Sequence, residues 1–159
     1  DVIEALKLLP ESVIFKILGE GPVEKELKVK VKNLGLEERV HFLGTIPNQD
    51  LPAHLHSADI FIRPSLSEGQ GISFIEAMAA GLPVIATPVG GIPDFLKDGE
   101  TGIFCQPQNP QSIAKAVHRL ATDDLLRKKI VENAQKLVKE KYDWNQIVGE
   151  MKSRVFDMV

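Results

Sequence analysis

Short apolar runs alternate along this chain with segments in which apolar residues recur every three or four positions. Short runs bounded by Gly or Pro are typical of buried strands, and the wider spacing is typical of amphipathic helices. The predicted strands are 13–18, 40–43, 59–62, 83–86 and 102–104. The predicted helices are 1–9, 23–34, 49–57, 72–80 and 91–96, one opened by Asn109-Pro110, one around 126–137, and one from about 143 to 156.

Alternation of short, predominantly apolar strands with helices indicates a parallel sheet that is covered on both faces. The predicted fold class is therefore α/β, a doubly wound parallel sheet of the Rossmann-like kind. Ligands of such sheets bind at the carboxyl ends of the strands. Glycine-bearing loops follow four of the predicted strands and should meet at that edge: 19–22, 44–47, 69–71 and 90–91.

Composition and charge narrow the class of protein. A length of 159 residues suits one domain, and 43% apolar residues suffice for a core. The net charge of −3 does not favour nucleic acid, and the densest basic stretch, 136–141, indicates a solvated helix face. The single Cys105 excludes an intrachain disulfide and, at the end of a predicted strand, should be a buried thiol. No apolar run approaches the ~18–20 residues of a membrane span, so we expect a cytoplasmic protein.

Both ends of the chain suggest a longer protein. There is no initiator Met, and helical spacing begins at Val2. We therefore expect a piece truncated at its N-terminus. The C-terminal run carries more apolar residues than a chain end needs, and part of that surface should have lost a partner: Ile147, Met151, Val155, Phe156, Met158 and Val159.

The stretch from Glu68 to Glu76, Glu-Gly-Gln-Gly-Ile-Ser-Phe-Ile-Glu, carries the candidate chemistry. Its two glycines permit a tight turn with bare backbone N–H groups, and a helix is predicted to begin at Ile72. A helix N-terminus attracts anions such as phosphate. The flanking carboxylates can accept hydrogen bonds from hydroxyls beside that anion. Phosphate and hydroxyls in one place suggest a nucleotide sugar.

Several segments occur in an order and spacing that resemble a known family. They are Gly19-Glu-Gly-Pro22, Val40-His-Phe-Leu-Gly44, Ala58-Asp-Ile-Phe-Ile-Arg-Pro-Ser65, the Glu68–Glu76 stretch continuing to Gly81, Gly90-Gly91, Asp98-Gly99 with Gly102, and Trp144. Together they resemble the C-terminal half of GT-B-fold retaining glycosyltransferases of the GT4 type. The resemblance covers most of the chain and implies a single donor-binding domain, residues 1–159, whose N-terminal acceptor domain is absent.

The resemblance implies that the intact enzyme moves a hexose from a UDP-, GDP- or ADP-sugar to an unknown acceptor hydroxyl, with its configuration kept. The nucleotide sugar is a substrate, so no cofactor and no obligatory metal are expected. The family's diphosphate-binding Arg and Lys would precede Asp1. The enzyme's own N-terminal domain is a further expected partner, and binding to nucleic acid is not expected. Peripheral membrane association of the intact enzyme stays open.

The resemblance also assigns roles around the two carboxylates. Glu68 would be the catalytic contact to the donor sugar, and its alternative is a solvated loop acid. Glu76 would bind the ribose; its alternative is a capping box with Ser73. Against that alternative, a helix buried on most sides would not keep a charge without a partner. Main-chain N–H groups would face the diphosphate at four positions: Gly69, Gln70, Gly71 and Ile72. Ser73 would add a hydroxyl or cap the helix.

Five further residues complete the set of candidate positions. Ile46 and Asn48 would contact the base, while Asn48 would otherwise cap the following helix. Gly19 and Gly21 form a GxG turn that would line the donor site or only turn the chain into a helix. Arg63 is predicted to form a surface or interdomain salt bridge rather than to act in catalysis.

Two other functions stay open from the sequence alone. A nucleotide-sugar epimerase of the same fold would need its own acid–base carboxylates, and the Glu76-Ala-Met-Ala-Ala-Gly81 context fits a transferase better. A non-catalytic doubly wound binding module of the flavodoxin-like kind would need an Asp at a strand's carboxyl end, whereas Asp59 opens its strand. The four histidines show no spacing for a metal site, so none is predicted.

Overall fold

The computed structural model describes residues 1–69 and 71–143. Its strands are β1 Phe15–Leu18, β2 Val40–Gly44, β3 Phe61–Arg63, β4 Val84–Ala86 and β5 Ile103–Phe104. Its helices are α1 Val2–Ala5, α2 Glu24–Asn33, α3 Leu51–His56, α4 Ile72–Ala79, α5 Ile92–Phe95, α6 Pro110–Thr122 and α7 Asp124–Lys141. The predicted alternation of strands and helices is confirmed. The predicted helix from 143 to 156, Trp144, the apolar C-terminal run and Gln70 lie outside the described residues.

The main differences from the prediction lie at the ends of elements. The first helix is shorter than 1–9, because after Ala5 the backbone tightens into a 3-10 turn at Leu6–Leu8 and Leu9 is already extended. The third strand begins and ends later than 59–62, so Arg63 is its last residue rather than the start of a loop. Helix α6 begins as predicted: Asn109 Oδ1 accepts a hydrogen bond of 2.9 Å from the backbone N–H of Ser112.

All strand pairs in the described residues are parallel, in two groups. Strand β1 pairs with β2, with Phe15 opposite Val40, while β4 lies between β3 and β5. The predicted α/β fold with a parallel sheet is confirmed. Because parallel strands share a direction, the loops that follow β3 and β4 leave the sheet at the same edge.

Strand β4 is buried on both faces, as the doubly wound arrangement requires. Val84 and Ala86 belong to a core cluster with α4 and α5, which supply Phe74, Met78 and Ile92. On the opposite face, Ile85 joins a second cluster, whose members from α1, β5, α6 and α7 include Ala5, Ile103, Ile113, Leu120 and Ile130. Alternate side chains of one strand therefore meet helices on opposite sides of the sheet.

A third cluster covers β1 and β2. Its buried members come from the first helical segment, from α2 and from the residues around β2: Ile3, Leu6, Val31, Leu36 and Val40. Helix α1 thus places Ile3 in this cluster and Ala5 in the cluster under β4. The short first helix packs the two groups of strands together.

Backbone contacts join the loops at the carboxyl edge in pairs. Gly19 N–H donates to the Gly44 carbonyl at 2.7 Å, and Gly91 N–H donates to the Gly69 carbonyl at 3.2 Å. A Cβ at Gly90, whose φ is +55°, would lie 1.8 Å from the carbonyl oxygen of Glu68. The loop after β4 therefore rests directly on the backbone of the loop after β3.

Cys105 follows β5 and is 3% exposed, as the sequence predicts. Its N–H donates to the Ala86 carbonyl at 2.8 Å, and burial raises the pKa of its thiol from about 9 to about 11. Among the described residues, no helix is both long and apolar enough to cross a membrane.

We expect the Cys105 thiol to resist alkylation in the folded protein at pH 8. A pKa about two units higher lowers the thiolate population about a hundredfold, and burial adds to the protection. The measurement is the iodoacetamide reaction rate in buffer and in denaturing urea. Because the folded pKa is the higher one, the thiol's contribution to stability should be lost as the pH rises from about 9 to about 11. Equal native and unfolded rates would contradict the buried position.

Replacing Gly90 by Ala should lower the free energy of unfolding by about 1–3 kcal/mol, because the new methyl group would meet a backbone carbonyl and the φ is positive. Denaturant unfolding monitored by circular dichroism measures this. Gly21→Ala is the matched control, since a Cβ there has no heavy atom within 4 Å. A Gly90→Ala protein as stable as the control would contradict the close approach of the two loops.

Candidate functional site

Glu68 lies on the loop after β3, and its side chain is 13% exposed. Arg63 Nη2 is 3.2 Å from Glu68 Oε2, and the Ser65 hydroxyl donates to the same oxygen at 3.2 Å. The Ser65 carbonyl in turn accepts a hydrogen bond from the buried hydroxyl of Thr87. Glu68 is therefore a held, largely buried carboxylate, and the alternative of a solvated loop acid is wrong.

Arg63 is the neighbour of Glu68 that the sequence did not assign to the site. The predicted salt bridge exists, but its partner is Glu68 of the same domain. The other arm of the guanidinium, Nη1, donates to the Ser73 hydroxyl at 2.9 Å, and the group lies 5.9 Å from the centroid of the Phe74 ring. An Arg before Pro64 gives no local signal of these contacts, because they depend on how the loop folds back over α4.

Helix α4 begins beside this carboxylate with an N-terminus that no side chain caps among the described residues. Its N-cap residue is Gly71, in the left-handed region with φ +69°. A Cβ at Gly71 would lie 2.9 Å from the Phe74 ring and 3.0 Å from Ile92, so glycine is needed for space as well as for conformation. The uncapped N–H groups of the first turn carry the positive end of the helix dipole, which favours an anion.

Glu76 lies on the exposed side of α4, whereas Phe74, Ala77 and Met78 form its buried side. It follows Ile72 by four positions and Ser73 by three, so the three residues share one side of the helix. The argument that Glu76 needs a partner because its helix is buried on most sides therefore does not hold. The capping-box alternative is also wrong, because Gly71 is the N-cap and the Ser73 hydroxyl accepts from Arg63 instead.

The loops after β1 and β2 carry the other predicted contacts. Ile46 is half-buried and Asn48 is exposed. Asp50 occupies the N-cap position of α3, so the alternative that Asn48 caps this helix is wrong. Gly19 is tied to Gly44 by a backbone hydrogen bond, and Gly21 is exposed two residues later. The structure thus brings Gly19 to the end of β2, and Glu68, Gly69 and Gly71 to the start of α4.

The predicted roles of these residues toward a ligand stay predictions. Gln70, between the two site glycines, lies outside the described residues. Within residues 1–69 and 71–143, no three His, Cys, Asp or Glu side chains lie together in a way that could hold a metal ion.

Comparison with known proteins places this geometry in a family. The chain is 41% identical over 134 residues to an uncharacterised glycosyltransferase of Methanocaldococcus jannaschii, a match that covers 84% of this chain and 34% of that protein. It superposes on the crystal structure of Anabaena HepE in complex with UDP-glucose with a TM-score of 0.86 and 30% identity, covering 97% of this chain and 44% of that one.

A third match is a domain on its own. It is the crystal structure of the C-terminal domain of the glycosyl transferase group 1 family protein LpcC from Francisella tularensis, with a TM-score of 0.79 and 34% identity. It covers 89% of this chain and 77% of that domain. The first curated relatives are much longer, since the chain spans 34% and 42% of their length. The model of the family described as "Glycosyl transferases group 1" matches residues 1–137. Because this match covers most of its length, the chain belongs to that family of glycosyltransferases.

Proposed function

We propose that the chain is the donor-binding domain of a retaining glycosyltransferase, which transfers a hexose from a nucleoside diphosphate sugar to an acceptor hydroxyl. The observation that carries the proposal is the held carboxylate of Glu68 beside the N-terminus of α4, which no described side chain caps. A single guanidinium, that of Arg63, contacts both Glu68 and Ser73, so the carboxylate and the first turn of α4 are close neighbours. The UDP-glucose bound to the similar Anabaena protein supports a nucleotide-sugar donor.

The diphosphate is assigned to the first turn of α4. Backbone N–H groups from Gly69 to Ile72 would donate to its oxygens, and the helix dipole would add favourable charge. The side chain of Ser73 is compatible with this role: its oxygen accepts from Arg63, which leaves its own hydrogen for a phosphate oxygen.

The donor sugar is assigned to Glu68. Both of its described donors, Arg63 and Ser65, fall on Oε2. Oε1 is therefore the oxygen that would accept a hydroxyl of the sugar. The carboxylate would also stabilise positive charge that develops at the anomeric carbon during transfer.

The nucleoside is assigned to Glu76 and to the loops at the ends of β1 and β2. The exposed carboxylate of Glu76 would accept the ribose hydroxyls. The base would meet the backbone of Ile46 and the exposed side chain of Asn48, next to the Gly19–Gly21 turn. UDP-, GDP- and ADP-sugars are all retained as candidate donors.

Transfer would need no protein nucleophile in this domain. The acceptor hydroxyl would attack on the face that the diphosphate leaves, and the leaving phosphate would take its proton, so the configuration is kept. The acceptor site would come from an N-terminal domain of the intact enzyme, and further cations for the diphosphate would come from an Arg and a Lys on the segment that precedes Asp1. The donor is a substrate, and the proposal invokes no further cofactor. The family match favours neither the epimerase nor the non-catalytic module.

Titrating the isolated, isotope-labelled chain with UDP-, GDP- and ADP-glucose should move amide signals of residues 69–76 first. We expect weak binding, because only one wall of the donor site is present. The amides of 113–137, on α6 and α7, serve as the internal control. Shifts confined to that control region would place the donor elsewhere and contradict the assignment.

In the full-length protein, Glu76→Ala should weaken nucleotide binding, whereas Glu68→Ala should mainly lower kcat. Ribose contacts are the same before and during the reaction, but contacts to the sugar strengthen as charge develops. Each lost charge-assisted hydrogen bond should cost roughly ten- to a hundredfold. The measurements are UDP affinity by calorimetry and steady-state kinetics with the preferred donor, and the anomeric coupling of the product by proton NMR tests retention.

Glu38→Ala is the matched control for these variants. Glu38 is an exposed carboxylate just before β2, at the amino-terminal edge of the strands, opposite the proposed site. It should change neither affinity nor kcat. Wild-type affinity and kcat for both Glu68→Ala and Glu76→Ala would contradict donor binding at this edge. A product with inverted configuration would contradict the retaining mechanism.

A further inference from the structure

We propose that Arg63 is a positioning residue for sugar transfer, which fixes the carboxylate of Glu68 so that Oε1 faces the donor sugar. The inference rests on the proposed function, since it concerns how that same site is organised. It adds a residue outside the Glu68–Glu76 stretch to the reaction, from the last position of β3.

The first argument is the geometry of the guanidinium. Its two terminal nitrogens reach two different segments: Nη2 contacts Glu68 Oε2 at 3.2 Å, and Nη1 donates to the Ser73 hydroxyl at 2.9 Å. A planar fork held at both tips cannot rotate without breaking one contact. Arg63 therefore ties the loop that carries Glu68 to the first turn of α4.

The second argument is the support behind the guanidinium. It lies over the ring of Phe74, 5.9 Å from the centroid, and Phe74 is fully buried. Phe74 is itself packed edge-on against Phe61 of β3, with the ring centroids 5.5 Å apart. The cation thus lies on a rigid part of the core, although Arg63 itself is half exposed.

The third argument is the environment of Glu68. Its side chain is 13% exposed, and a carboxylate that is mostly removed from water needs charged or hydrogen-bonding partners. Arg63 and Ser65 supply them on one oxygen, so the orientation of the other oxygen is set before any donor binds. Prepositioned groups of this kind favour the transition state because they need no rearrangement during the reaction.

Lysine should replace Arg63 poorly. An ammonium group is a point charge without the planar fork, so it can compensate Glu68 but cannot hold Ser73 in the same plane. A purely structural cation would tolerate the change, whereas a positioning residue should show an intermediate kcat. The comparison of the Ala and Lys variants therefore separates charge from geometry.

The test is a double-mutant cycle in the full-length protein, with Arg63→Ala and Glu68→Ala alone and together. Because Arg63 is proposed to act through Glu68, Arg63→Ala should lower kcat roughly tenfold or more. The donor KM and the UDP affinity should change less than about threefold. In the Glu68→Ala background, the same change should cost less than about twofold. Arg63→Lys should recover part of kcat. Arg119→Ala, an exposed arginine 3.9 Å from Asp98, is the control and should behave as wild type.

The outcomes separate this inference from the proposed function. Additive losses in an active protein, or a wild-type kcat for Arg63→Ala, would overturn the positioning role alone. A full-length protein that transfers no sugar from any donor would overturn the proposed function and the inference with it. If Arg63→Ala does not fold, Arg63→Met replaces it in the cycle, because its apolar stem keeps the contact with Phe74 while removing the charge.

Discussion

The rest of this structure depends on the burial of β4 on both faces. A three-residue strand with every side chain removed from water can exist only if helices cover both sides of the sheet. Helices α4 and α5 cover one side and α6 covers the other. The neighbouring strands are parallel because a helix connects each strand to the next. Parallel strands deliver their following loops to one edge. The candidate site is therefore a consequence of how the core is covered.

Backbone contacts then turn neighbouring loops into a defined surface. The turn at Gly90–Gly91 touches the main chain of Glu68 and Gly69, and Gly71 fits between Phe74 and Ile92 only because it lacks a side chain. Gly90 and Gly91 are assigned no contact with the donor. Their contribution is to hold the carboxylate of Glu68 near the first turn of α4, with the buried hydroxyl of Thr87 fixing the preceding Ser65.

Local patterns in the sequence were sufficient for most of the fold. The apolar runs predicted each strand, and Asn109-Pro110 predicted the start of α6, because caps and periodicity depend on near neighbours. Local patterns failed where the decisive contact joins residues that are distant in sequence, or where it depends on the exact first residue of a helix. Arg63 reaches Ser73 across ten positions, and the capping box fails because α4 begins at Ile72 with Gly71 as its cap. The exposed position of Glu76 likewise depends on which side of α4 meets the core.

Charge balance at the site explains why Arg63 matters and why the site needs more than these residues. A donor diphosphate would enter next to two carboxylates, Glu68 and Glu76, and both repel it. The N-terminus of a helix offers the equivalent of about half a positive charge, which is too little to balance the negative charge of a diphosphate. Arg63 is half exposed but already engaged by Glu68 and Ser73, so much of its charge offsets the carboxylate rather than the ligand. In the proposed complex, pairing Arg63 with Glu68 would therefore lower the repulsion that the donor meets, while full neutralisation of the diphosphate would require cations beyond the described residues.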